Sequence, residues 1–204
     1  MLRELPALDR YFGDGRRLMR KSGHVPDLVV ISGPIASGKS TVSHALGSRF
    51  RASGRGVAVL DVDDVVDVVD TIGGFGDLNT ESWHQAQVVH GELVGAWLCR
   101  SFDAIAHGPF FERQEFDALL HAVPDGVEPR RVHLLATYEA ALERVALDLS
   151  RGLSKDPALL RLTYDRVEVL LPTMPPSEWT FDTTATSCGE IVDALVAELL
   201  SDRS

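Results

Sequence analysis

The run Gly33-Pro34-Ile35-Ala36-Ser37-Gly38-Lys39-Ser40, followed by Thr41, has the spacing G-x-x-x-x-G-K-[ST], and each fixed position answers a need of phosphate chemistry. Glycines at both ends let the backbone turn its N–H groups inward around a phosphate, and the helix that follows, with Val42, Ala45, Leu46 and Phe50 on one face, adds its positive terminus. Lys39 brings a mobile charge for the β- and γ-phosphates of ATP. The Ser40 hydroxyl suits the Mg²⁺ that bridges them. The chain has only three lysines, Lys21, Lys39 and Lys155, so a lysine at the one position the pattern requires is a pointed coincidence.

A second group of side chains follows a second apolar run, Val57 to Leu60, which ends in Asp61-Val62-Asp63-Asp64. Phosphoryl transfer to a hydroxyl needs a metal ligand and a base near the attacking oxygen, and paired carboxylates can supply both. In extended chain Asp61 and Asp63 would share a side, so that one could reach the metal's water shell while the other takes the acceptor proton. The alternative role for these acids is to cap a helix starting near Asp64. His107 and Gly108 close a third apolar run; His107 at the strand end and Trp83 on the helix expected to wall the acceptor are candidate substrate contacts.

The elements that must position these groups alternate in type. Strands are expected at Leu28–Ile31, Val57–Leu60, Phe102–Ala106, Arg131–Ala136 and Trp179–Asp182. Helices are expected after Lys39, over Thr80–Arg100 with Ala86, Val89, Leu93, Ala96 and Trp97 facing inward, over Arg113–His121 and over Tyr138–Leu149. A further helix should open at Pro157 and a last one behind the capping box Ser187-Cys-Gly-Glu190, burying Ile191, Leu195 and Leu199. Thr71–Asn79 is glycine-rich and predicts a mobile loop. Strands alternating with helices give a mostly parallel sheet covered on both faces, with ligands beyond the carboxyl ends of its strands.

This order of elements, with GPIASGKS, DVD after the second strand and a glycine after the third, resembles the shikimate kinase and chloramphenicol phosphotransferase group of small P-loop kinases. The resemblance spans Leu28 to the C-terminus. It implies a three-layer, nucleotide kinase-like P-loop NTPase fold with a five-stranded sheet, and a kinase domain over 28–204 behind an accessory segment, 1–27. It also implies ATP and Mg²⁺ as cofactors, with Asp61 on the metal side and Asp63 as base. Arg144 is similar to the arginine that stacks on adenine, Thr186 lies in the loop bordering the base, and Arg151 resembles the lid arginine, with the lid at about 151–158. Gly108 resembles a substrate-contacting glycine turn of that group, but the triple glycine of shikimate kinases is absent there, which counts against shikimate itself.

Composition narrows the partners. A formal charge of -10 argues against a surface built for nucleic acid. Cys99 and Cys188 match no metal spacing, no run reaches membrane length, and the start has no signal-like apolar core, so the expected place is the cytoplasm. The expected activity is transfer of phosphate from ATP to the hydroxyl of a small molecule. Phe75, Trp83, Phe110 and Phe111 point to a ring-bearing or antibiotic-like acceptor. The alternatives are a nucleoside or polynucleotide kinase, or an ATP-binding regulatory protein without turnover.

Overall fold

A computed structural model describes residues 25–70, 80–147 and 156–201. The segment 1–24, Phe75 with its loop, and Arg151 with most of the expected lid lie outside the described residues. Five strands form one sheet: β1 (Leu28–Ser32), β2 (Val57–Asp61), β3 (Asp103–Gly108), β4 (Pro129–Leu135) and β5 (Trp179–Asp182). Their spatial order is β2-β3-β1-β4-β5, and every neighbouring pair is parallel.

Because β1 is central and buried throughout, its apolar run LVVI serves two layers at once. Val29 and Ile31 point into a core completed by Val42, Leu46 and Phe50 of α1 (Lys39–Ala52) and by Ile191 and Leu195 of α7 (Cys188–Ser201). Leu28 and Val30 point the other way. They meet Val62 of α2 (Val62–Asp70), Val94 and Leu98 of α3 (Thr80–Leu98), and Phe116 and Leu119 of α4 (Arg113–Leu120). Period-two alternation in one strand thus fastens helices to both faces. The capping box of α7 forms as expected, with the Ser187 N–H donating to Glu190 at 2.9 Å and the Glu190 N–H donating to Ser187 at 3.3 Å.

Two expectations are corrected. The face of α3 turned inward is that of Ala86, Gln87, His90, Gly91, Val94 and Leu98; of the expected residues Ala86 is buried, whereas Val89, Leu93, Ala96 and Trp97 are exposed, Val89 at 43% and Trp97 at 39%. The cause is a close helix crossing: a Cβ at Gly91 would lie 2.7 Å from the Leu119 carbonyl of α4, and one at Gly95 would run into the Ala122 backbone. Only glycines let the helices meet there. The second correction concerns Asp61 and Asp63, which are not successive residues of one extended strand. β2 ends at Asp61 and α2 starts at Val62. Asp61 itself caps that helix, its Oδ1 accepting the Asp63 N–H at 3.1 Å.

Two further helices, α5 (Tyr138–Leu147) and α6 (Pro157–Leu170), flank the phosphate loop. Thr137 and Asp156 cap them through the N–H groups of Ala140 and Ala158. Ala141, Val145 and Leu160 pack with Ala36 of the loop in a third, smaller core. Among the described residues, no helix is long and apolar enough to cross a membrane.

Candidate active site

The loop from Gly33 to Gly38 links the central strand to α1, and four of its carbonyls accept side-chain hydrogen bonds. Lys39 Nζ donates to the Gly33 and Pro34 carbonyls at 2.8 and 2.9 Å. The Tyr164 hydroxyl of α6 donates to Ile35 O at 3.1 Å, and Arg144 of α5 donates to Ala36 O at 2.9 Å. Within the loop the Ser37 N–H donates to the Pro34 carbonyl at 3.2 Å, which closes its turn. Ala36 and Gly38 both have positive φ, 59° and 91°, as the loop turns tightly into α1. Gly33 is needed for a different reason, since a Cβ there would stand 2.6 Å from Ser37 Oγ and against the Leu134 carbonyl.

Gly38 is the N-cap of α1, no side chain among the described residues caps it, and the first turn carries no acid. That helix end is left open to an anion. In front of it lies a recess of about 130 Å³ lined by Gly38, Lys39, Ser40, Thr41, Asp61 and Asp63. Next to it, on the far side of Thr41, is a larger cavity of about 380 Å³ between Ser37 and Gly38 and the residues Arg144, Thr183, Thr186 and Cys188. Arg144 has a second task there, donating to Thr183 Oγ1 at 3.0 Å and to Thr183 O at 2.6 Å. It therefore clamps the phosphate loop to the β5–α7 loop.

Burial shapes the electrostatics of the smaller recess. Desolvation, with Asp63 nearby, raises the Asp61 carboxyl to about 6 against the pull of Lys39. Desolvation likewise raises Asp63, which Lys39 again offsets in part. His107 is 1% exposed, and burial, with Lys39 and His44 beside it, lowers it to about 3, so its ring is neutral. Among the described residues no set of three or more His, Cys, Asp or Glu side chains surrounds one point. A hydroxyl and a carboxylate on one small recess, Ser40 and Asp61, instead match a Mg²⁺ that takes its other ligands from phosphate and water.

The site residues expected from sequence thus divide. Lys39, Ser40, Asp61 and Asp63 converge on one recess, and Arg144 and Thr186 line the adjoining cavity. His107 is sealed beside Asp61, and Gly108 is buried where a Cβ would strike Val62 at 2.6 Å, so its glycine answers a packing need. Trp83 is half-buried and leans on the α3 side of the core. Phe110 and Phe111 are buried core residues, which removes them as a surface for a ring-bearing acceptor. Tyr164 is not marked in the sequence, and Cys188 is read there as a plain helix residue without metal spacing. Nothing local assigns either to the site, because both reach it from helices far along the chain.

No protein-family model and no curated protein matches the sequence. Solved structures do match. A sugar kinase from Janibacter aligns with TM-score 0.64 and 18% identity over 85% of this chain and 94% of its own. A shikimate kinase from Acinetobacter baumannii in complex with shikimate aligns with TM-score 0.56 and 16% identity over 93% and 98%. A gluconokinase from Sinorhizobium meliloti aligns with TM-score 0.55 and 19% identity over 89% and 99%. The chain has the P-loop kinase fold, the five-stranded parallel sheet with helices on both faces.

Proposed function

We propose that the protein is a phosphotransferase that moves the terminal phosphoryl group of ATP, with Mg²⁺, onto a hydroxyl of a small molecule. The observation that carries this reading is the convergence of Lys39, Ser40, Asp61 and Asp63 on one recess at the open end of α1. Lys39 and the loop N–H groups bind the phosphates, while Ser40 and Asp61 hold the metal. Bound there, Mg²⁺ neutralises phosphate charge. Asp63 takes the proton of the acceptor hydroxyl as its oxygen bonds to phosphorus and the bond to the ADP oxygen breaks. A carboxyl whose pKa is raised above the ordinary carboxylate range is a stronger base than a free one. Arg144 and Thr186 border the nucleotide base. The kinase domain covers 28–204, with 1–27 as an accessory segment. The structural neighbours are kinases of a sugar, of shikimate and of gluconate by their names, which favours a hydroxyl-rich, non-aromatic acceptor.

The test is ADP release from Mg·ATP by the purified protein against sugars, polyols, cyclic hydroxy acids, antibiotics and nucleosides. Acceptor-dependent release is expected, and Asp63→Asn should lower it by about 10²-fold while binding of an ATP analogue persists. Lys39→Ala should lose analogue binding in a folded protein. A wild-type protein that binds no ATP analogue overturns the reading. Full transfer by Asp63→Asn removes Asp63 as the base.

A further inference from the structure

We infer that His107 is a positioning residue, whose Nδ1–H fixes the second oxygen of Asp61 and so sets the angle at which that carboxylate meets the metal. The inference rests on the kinase reading above. It assigns His107 a partner within the protein instead of the acceptor contact expected from sequence.

Asp61 and His107 are paired residues of β2 and β3, so the parallel register puts their side chains next to each other at the carboxyl end of the sheet. One Asp61 oxygen, Oδ1, is committed to the Asp63 N–H. The other, Oδ2, lies 3.5 Å from His107 Nδ1. That nitrogen is buried and has no hydrogen-bond partner among the described residues. Leaving such an atom unpaired costs about 1–3 kcal/mol, and a shortening of about half an ångström would turn the approach into a hydrogen bond.

The chemistry of the contact sets the tautomer. A ring lone pair aimed at a carboxylate oxygen repels it, so the neutral ring carries its proton on Nδ1. The His44 ring stands edge-on to His107 with centroids 6.3 Å apart. An Nδ1–H donor orients the Asp61 carboxylate and leaves its charge for the metal. At 1% exposure His107 offers an acceptor molecule no surface to touch.

The substitutions that test this follow from side-chain geometry. In His107→Asn the amide nitrogen falls where Nδ1 stands, whereas in His107→Gln it falls near Nε2. We expect His107→Asn to behave nearly as wild type. His107→Gln and His107→Leu should weaken the Mg²⁺ dependence of ATP-analogue binding about 10-fold, with ADP binding in the absence of metal unchanged, as read by calorimetry. On the nucleotide-free wild type, ¹⁵N NMR of the His107 ring should show the proton on Nδ1. A proton on Nε2 alone overturns the inference, as does His107→Gln binding Mg²⁺ and analogue like wild type. His107→Asn as weak as His107→Leu in a folded protein, judged by its melt, also overturns it, since packing would then be the whole effect. If the wild type binds no ATP analogue, both readings fall. If it binds but is indifferent to His107→Gln, only the positioning role falls.

Discussion

His90 is a neutral imidazole closed in behind β2 and β3. Its ring stacks on Phe110 with centroids 5.9 Å apart, and Nε2–H donates to the Leu60 carbonyl at 3.3 Å. Burial lowers its pKa to about 4. Once the chain unfolds, His90 takes a proton below about 6.5, whereas the folded ring does so only near 4. The unfolded state therefore binds more protons in that window, and stability falls as pH drops from about 6.5 toward 4. His90→Gln keeps a donor for Leu60 and removes the titration. Urea melts at pH 7 and pH 4.5 should show the variant losing about 2 kcal/mol less than wild type over that interval; parallel losses would refute the assignment. At this scale the sequence was legible wherever chemistry fixes spacing, as in Gly33 to Ser40. It was silent for Tyr164, which bonds to Ile35 from 129 residues away, and for the buried state of His90, which depends on what α3 happens to face.

Among the elements, α5 and α6 act as outriggers of the phosphate loop. Each lends one side chain to a loop carbonyl, and a small apolar cluster locks the pair to Ala36. Tyr164→Phe removes one such bond without altering the shape of the ring. Analogue binding should weaken about 2- to 10-fold, the worth of one hydrogen bond, with little change in melting. Unchanged affinity would mean that the loop is held well enough without it. The α3–α4 crossing makes a second, separate prediction. Gly95→Val inserts a branched side chain against the Ala122 backbone and should cost about 1–3 kcal/mol or more of stability in a denaturant melt. A neutral result would show that the helices part easily. This crossing explains why the buried side of α3 was misread. Counting apolar residues favoured Val89, Leu93 and Trp97, and such counting cannot register that two glycines admit a neighbouring helix. The helix cap at Asp61 was hidden for a related reason, because D-x-D spacing fits both a strand end and a strand-to-helix corner.

For the molecule as a whole, alternation of apolar runs was enough to foretell a parallel sheet with helices on both faces. The strand order was not legible, since β1 pairs with β3 and β4 and none of those partners is its neighbour in sequence. That order sets where the molecule opens first. β1 has a strand on each side and helices above and below, whereas β5 and β2 lie at the edges and are only partly buried. Backbone amides should therefore exchange with deuterium on a gradient, fastest in Trp179–Phe181 and Val57–Val59, and for Val29–Ile31 only through global unfolding. Exchange measured across low denaturant concentrations would reveal it; equal protection in all five strands would contradict it. The strand that launches the phosphate loop is then the last to yield. A molecule whose margins have already frayed would still present a formed cradle to an incoming phosphate, and its capture would pull the loosened edges back into place.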